Sequence, residues 1–162
     1  MKKVFYFISL AFCLIFCSCS SSDATAYKDL VFGMSLEEVI AKGYSDGVLI
    51  RAEEGREYYK CNYSDFAGCL YERAEVSFRD NKLAEVHFYN STDNPEIQRD
   101  FSKKVTDYLT SKYGPAKTAG KCEGWKDNKK TFLLYIHVDL DGISSKYINE
   151  LAICSNDYYQ AK

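Results

Sequence analysis

Proline is scarce in this chain, with two residues in 162, Pro95 and Pro115. That scarcity excludes a proline-rich linker, and an aromatic content of 15%, mostly tyrosine, argues for a folded domain over a disordered stalk. Basic runs are missing as well. With a formal charge of -2 the chain has no electrostatic footprint for nucleic acid. Histidine is limited to His87 and His137, and neither lies at finger-like spacing from a cysteine pair. No CxxC, GxSxG, P-loop or HExxH pattern occurs, so no cofactor and no catalytic constellation is indicated.

What is present begins at the N-terminus. Lys2 and Lys3 precede an almost wholly apolar run from Val4 to Phe16, and small polar residues follow from Ser18. This order of charged, apolar and small-residue regions reads as a secretory signal. The apolar run of about 14 residues falls short of the roughly 20 that a helix needs to cross a bilayer. Within "CLIFCSCSSSD" the stretch resembles the lipobox of bacterial lipoproteins, in which a cysteine after a small residue is acylated and becomes the first residue of the mature chain. Cys19, preceded by Ser18, fits best, whereas Cys17 follows the bulky Phe16. The expectation is a signal peptide over residues 1–18, a lipidated polar tether over 19–27 and a single domain over 28–162. The resemblance implies a bacterial cell-envelope protein anchored to a membrane, with its domain in the periplasm or at the cell surface.

Loss of the leader removes Lys2 and Lys3 and takes the formal charge from -2 to about -4. Four cysteines remain beyond Cys19, namely Cys61, Cys69, Cys122 and Cys154. An even number in an exported chain suggests two disulfides. Three connectivities exist, and the reading favoured is Cys61–Cys69 closing a short loop with Cys122–Cys154 linking two later strands. Free buried thiols and a metal site are the alternatives.

Two helices stand out. Ser35 and Glu38 form a capping box ahead of Leu36, Val39 and Ile40, with Gly43 as a stop. Asn94 and Pro95 open a longer helix whose Ile97, Phe101, Val105 and Leu109 recur every four residues, and Gly114 and Pro115 close it. Strands fill the rest. The clearest hairpin alternates Ala74, Val76 and Phe78 with polar neighbours, turns at Asp80-Asn81, and resumes with Ala84, Val86 and Phe88. Each half reads as a helix followed by a meander, the pattern of a duplicated unit. The expected fold is α+β, an antiparallel sheet with both helices packed on one face.

Candidate sites are few. His87 and His137 each fall in the polar phase of a strand, where histidine is an ordinary surface residue. Asp139 to Gly142 fails the calcium-loop pattern, because Ile143 and Ser144 stand at its fifth and sixth positions. Glu53, Glu54 and Glu57 read as a solvated hairpin tip beside Arg51 and Arg56. Tyr58, Tyr59, Tyr63, Phe66 and Tyr71 cluster around the proposed Cys61–Cys69 loop, and such aromatics suit a protein interface. Strand propensity alone is the competing explanation.

The segment "FGMSLEEV" resembles the helix entry of small periplasmic lipoproteins of the BamE (SmpA/OmlA) group, through Gly33, Met34, Ser35, Glu38 and Val39. The resemblance extends loosely through the sheet to about Asn90, and the chain departs from that group in its second half and four cysteines. The repeated helix-then-meander plan is also similar to β-lactamase-inhibitor-like folds. Together these imply a non-enzymatic protein-binding module with a role in envelope assembly or inhibition. The alternatives are an envelope hydrolase and a lipoprotein that binds a small ligand.

Overall fold

The computed structural model of the protein describes residues 25–119, 122–141 and 144–156. The leader and Cys19 lie outside these residues. The chain runs β1 (Thr25–Tyr27), β2 (Leu30–Val31), α1 (Leu36–Ala41), β3 (Leu49–Glu53), β4 (Arg56–Cys61), β5 (Asp65–Phe66), β6 (Cys69–Leu70), β7 (Arg73–Arg79) and β8 (Lys82–Thr92). It continues with α2 (Pro95–Tyr113), β9 (Lys117–Ala119), β10 (Cys122–Lys126), β11 (Lys130–Asp141) and β12 (Ser144–Ser155). The last residues of the expected tether, Thr25 to Tyr27, thus form β1, with Ala26 and Tyr27 buried.

An eight-stranded antiparallel sheet in the order β3-β4-β7-β8-β12-β11-β10-β9 dominates the molecule. This corrects the expected α+β fold with two helices packed on a sheet: the chain is β-rich. The helical patterns were read at the right places, but α1 is only six residues long. Strands take up far more of the chain, and β11 and β12 each run for 12 residues. Two further two-stranded pairs, β1-β2 and β5-β6, arise from stretches that lack a period-two pattern. The two four-stranded meanders meet through their last strands, β8 against β12, from Thr92 opposite Tyr147 to Glu85 opposite Cys154.

Local chemistry explains the element ends. Ser35 Oγ accepts from the Glu38 N–H at 3.3 Å, and the Glu38 carboxylate accepts from the Ser35 N–H at 2.8 Å, which completes the capping box. Asn94 Oδ1 accepts from the N–H groups of Glu96 and Ile97. At the β7–β8 turn both Asp80 (φ 51°) and Asn81 (φ 55°) are left-handed, as a two-residue hairpin of the tightest kind requires.

One face of the sheet carries the core. Val76, Phe78, Val86, Phe88, Leu151 and Ile153 pack there with Val39 of α1 and with Val105 and Leu109 of α2. The expected helix stripe holds at Phe101, Val105 and Leu109 and fails at Ile97. Ile97 is 55% exposed, and Ser102 faces the sheet instead, donating from Oγ to Asn149 Oδ1 of β12 at 2.6 Å. The buried residues of α2 are therefore Ser102, Val105 and Leu109, with half-buried Gln98 and Phe101 beside them, and the fully buried Asn149 on the core side of β12 finds its polar partners in Ser102 and Gln98.

Candidate functional site

The opposite face of the sheet buries polar groups. Register partners point to the same side, so Tyr58, Ser77, Glu85 and Cys154 share a row, as do Glu75, His87 and Ala152. Glu75, Ser77, Glu85 and His87 are all buried. Their roof, among the described residues, is built from the sheet's own long side chains. Arg51 lies 3.7 Å over the Tyr58 ring and pairs with Glu75, Arg73 lies 4.4 Å over the Tyr89 ring, and His87 stacks on Tyr89 with ring centroids 6.0 Å apart.

His87 is the centre of this face. Its Nε2 meets Glu85 Oε2 at 3.0 Å and its Nδ1 meets Glu150 Oε1 at 3.1 Å. Ser77 Oγ donates to Glu85, and an Arg56 guanidinium nitrogen lies 3.6 Å from the same carboxylate. Burial alone would lower the imidazole pKa, but the hydrogen bonds to Glu150 and Glu85 outweigh it and lift it to about 9. Burial pushes both carboxyls up, and the hydrogen bond to His87 together with the attraction of neighbouring positive charge outweighs that and holds them below their ordinary range. With both ring nitrogens donating to carboxylates, His87 is an imidazolium that has no lone pair to offer as a base. His137 is exposed on β11, opposite Ile148, and is not brought to His87.

The cysteines do not pair. Cys61, Cys69, Cys122 and Cys154 are all buried and free. The expected Cys122–Cys154 disulfide is overturned by topology, because β11 separates β10 from β12. Two strand spacings, roughly 9–10 Å, exceed the limit of about 7 Å between bridged Cα atoms. Cys61 and Cys69 enter the core from the other face of the sheet and are likewise unbonded. Burial raises the pKa of all four thiols, which makes them inert packing groups. No group of three or more metal-ligating side chains occurs among the described residues.

The aromatic cluster is divided by the same geometry. Tyr58 and Tyr59 point to opposite faces and are both buried, and Tyr71 is buried against Phe88 and Phe101. Phe66 packs on Phe88, Tyr108 and Phe132. Of the five residues only Tyr63, at 43%, is exposed, so they hold the interior together and do not form an open patch. Glu53, Glu54 and Glu57 line an open cleft of about 700 Å³ beside Arg56, and Glu57 accepts from the Tyr59 hydroxyl at 2.9 Å.

Over residues 27–158 the chain matches a protein-family model described as an uncharacterised protein. The chain belongs to that family. No curated protein and no solved structure matches it. The matched span contains α1, α2 and the whole eight-stranded sheet, so the buried polar face and both sheet edges fall inside the family's unit.

One of those edges was missed in the sequence. Among the described residues β3 pairs only with β4 and leaves its other side open. Val48, Leu49 and Ile50 are 55%, 51% and 46% exposed there, with Ile40 of α1 also exposed nearby, its Cδ1 against Gly47. A bulge leaves Ile50 without a register partner. The signal was legible: three aliphatic residues in a row break the alternation that a half-buried strand shows. No described helix is long and apolar enough to cross a membrane.

Proposed function

We propose that this protein is a lipid-anchored, non-enzymatic component of the bacterial cell envelope whose β-rich domain binds another polypeptide along the open edge of β3. The observation that carries the binding reading is the exposure of Leu49 and Ile50 on β3, and of Val48 just before it, at an edge that is unpaired among the described residues. Natural sheets blunt their edges with charge, proline or coverage, and an apolar edge is a template for an added strand. The bulge at Ile50 shortens the ladder available, so side chains contribute more to such a contact than backbone bonds do. The occupant is an extended apolar segment of a different chain. A second copy paired antiparallel about Arg51 would set Arg51 against Arg51, and like charges directly opposite are destabilising. The anchor reading is supported by the leader pattern and by Cys19 behind Ser18.

The test places a photo-crosslinking side chain at position 49 or at position 97 of the full chain in its native envelope. Ile97 is equally exposed but sits on α2. The expected result is one stoichiometric partner captured from 49 and not from 97, through a single contiguous segment, with loss of capture in Cys19→Ala. Equal capture from both positions, capture of a second copy, or no capture from 49 would each overturn the proposal.

A further inference from the structure

A second site lies where the described chain begins. A pocket of about 340 Å³ opens between β1, the β5 strand and the end of α2, beside the start of β11. Its walls are rings in mutual contact: Phe66 lies 5.5 Å from Tyr108 and 6.1 Å from Phe132, and Tyr113 lies 4.7 Å from Phe132. Three lysines line it, Lys28, Lys112 and Lys130, against one carboxylate, Asp65. Asp65 is already engaged, because it pairs with Lys28 at 2.8 Å and accepts from the Tyr27 hydroxyl. Among the described residues neither Lys112 nor Lys130 has a carboxylate at ion-pair distance. Lys112 Nζ donates to the Tyr108 hydroxyl at 2.7 Å, and Lys130 Nζ donates to the Thr25 carbonyl at 2.8 Å.

This excess of cations is unusual on a chain of formal charge -2. Half-burial of Lys130 lowers its pKa, and the charge of nearby Asp127 offsets that only in part. An anion entering the pocket would meet both ammonium groups, and at half-buried Lys130 the attraction is stronger than in water, whereas Lys112 is exposed. We propose that the pocket binds a phosphate group carried on a small organic body, with Lys112 and Lys130 on the phosphate and the ring cluster against the body. Lysine is a competent point-charge ligand for phosphate, whose charged oxygens can meet two ammonium groups that lack a carboxylate partner. The volume, near the lower end of ligand pockets (about 300–1,000 Å³), suits a headgroup-sized molecule and not an acyl chain.

Two sources can supply that chemistry. Thr25 at the pocket rim follows Cys19 by six residues, a reach on the order of 20 Å when extended. A chain acylated at Cys19 would therefore hold the pocket within range of anionic lipid headgroups, while a soluble phosphate ester would enter from solvent. The inference is independent of β3 and does not require the anchor.

The test uses the full chain in nanodiscs with its lysines 13C-dimethylated, which keeps their charge. One arm adds inorganic phosphate, against chloride at matched ionic strength, in phosphatidylcholine discs. The other compares phosphatidylglycerol with phosphatidylcholine discs. The Lys112 and Lys130 signals are expected to move together in at least one arm, with half-saturation below about 1 mM in the phosphate arm. Exposed Lys146 should stay still. The responding arm names the source. K112Q, at an exposed position, should weaken the Lys130 response several-fold, and K130Q should weaken the Lys112 response likewise, while Trp125 fluorescence stays native. No movement in either arm, movement matched by Lys146, or an undiminished response in K112Q would overturn the proposal.

Discussion

His87 and Glu150 stand 63 residues apart in sequence and meet at 3.1 Å on a buried sheet face, where Glu85 closes the other side of the imidazole at 3.0 Å. β8 supplies two of these groups and β12 the third, so the ion cluster bridges the seam between the two meanders. Removing any one partner leaves a buried charge uncompensated, which is the costly way to break such a cluster.

The cluster sets a pH dependence. His87 titrates near 9 when folded against an ordinary value of 6.5, so its contribution is complete below about 6.5 and is lost as pH rises through 9. That shift corresponds to roughly 3 kcal/mol. Glu85 and Glu150 act in the opposite sense, contributing above the ordinary carboxylate value of 4.5 and losing that contribution on acidification. Urea midpoints should therefore be highest between about pH 4.5 and 6.5. They should fall toward pH 9, and H87Q should be less stable and lack the alkaline slope. A wild-type midpoint that is flat from pH 6.5 to 9.5 would show that His87 is not held as the imidazolium.

The thiols give a second expectation. Alkylation under denaturing, non-reducing conditions should label Cys61, Cys69, Cys122 and Cys154, while the native protein should react slowly because all four are buried. Peptide mapping after mild oxidation should never recover a peptide joining Cys122 to Cys154. Finding that peptide from folded protein would contradict the strand order.

Helix α2 tests how far its sequence stripe can be trusted. L109A removes a fully buried side chain and should cost about 2–5 kcal/mol. I97A, on the same stripe about three turns earlier, should change stability by no more than about 0.5 kcal/mol. Equal losses in thermal or urea unfolding would mean that the whole stripe is buried.

The edge of β3 offers a separation of stability from binding. L49K and I50K replace exposed side chains, so unfolding free energy should move by less than about 0.5 kcal/mol. Capture of the partner from a photo-crosslinker in β3 should nonetheless fall at least tenfold. A stability loss equal to the binding loss would assign these residues to the core.

What could be read from the residues follows physical range. Capping at Ser35 and Asn94, the Asp80-Asn81 turn and the alternation through Val76 and Val86 are local, and each appears where local chemistry put it. The strand order is not local. β12 lies between β8 and β11, so the cysteines of β10 and β12 are kept apart by a strand that no spacing rule reveals. The first position of the α2 stripe, Ile97, fails for a related reason. Ser102 faces inward only because Asn149, on a distant strand, needs its hydroxyl. Tyrosine clustering in sequence likewise did not distinguish the two faces of β4, and burial of both Tyr58 and Tyr59 required cover from each side. The polar cluster at His87 needed Glu150, whose approach depends on the same seam.

The seam also orders events in time. A chain made from its N-terminus completes the first meander while β12 is still absent, leaving β8 as an open edge with no neighbour to close it. Contacts such as Glu85 with Cys154 join segments that are far apart in the chain, and such long-range closure slows folding. The half-built sheet is then the species most exposed to wrong pairing, and its vulnerability lasts until the final strand emerges.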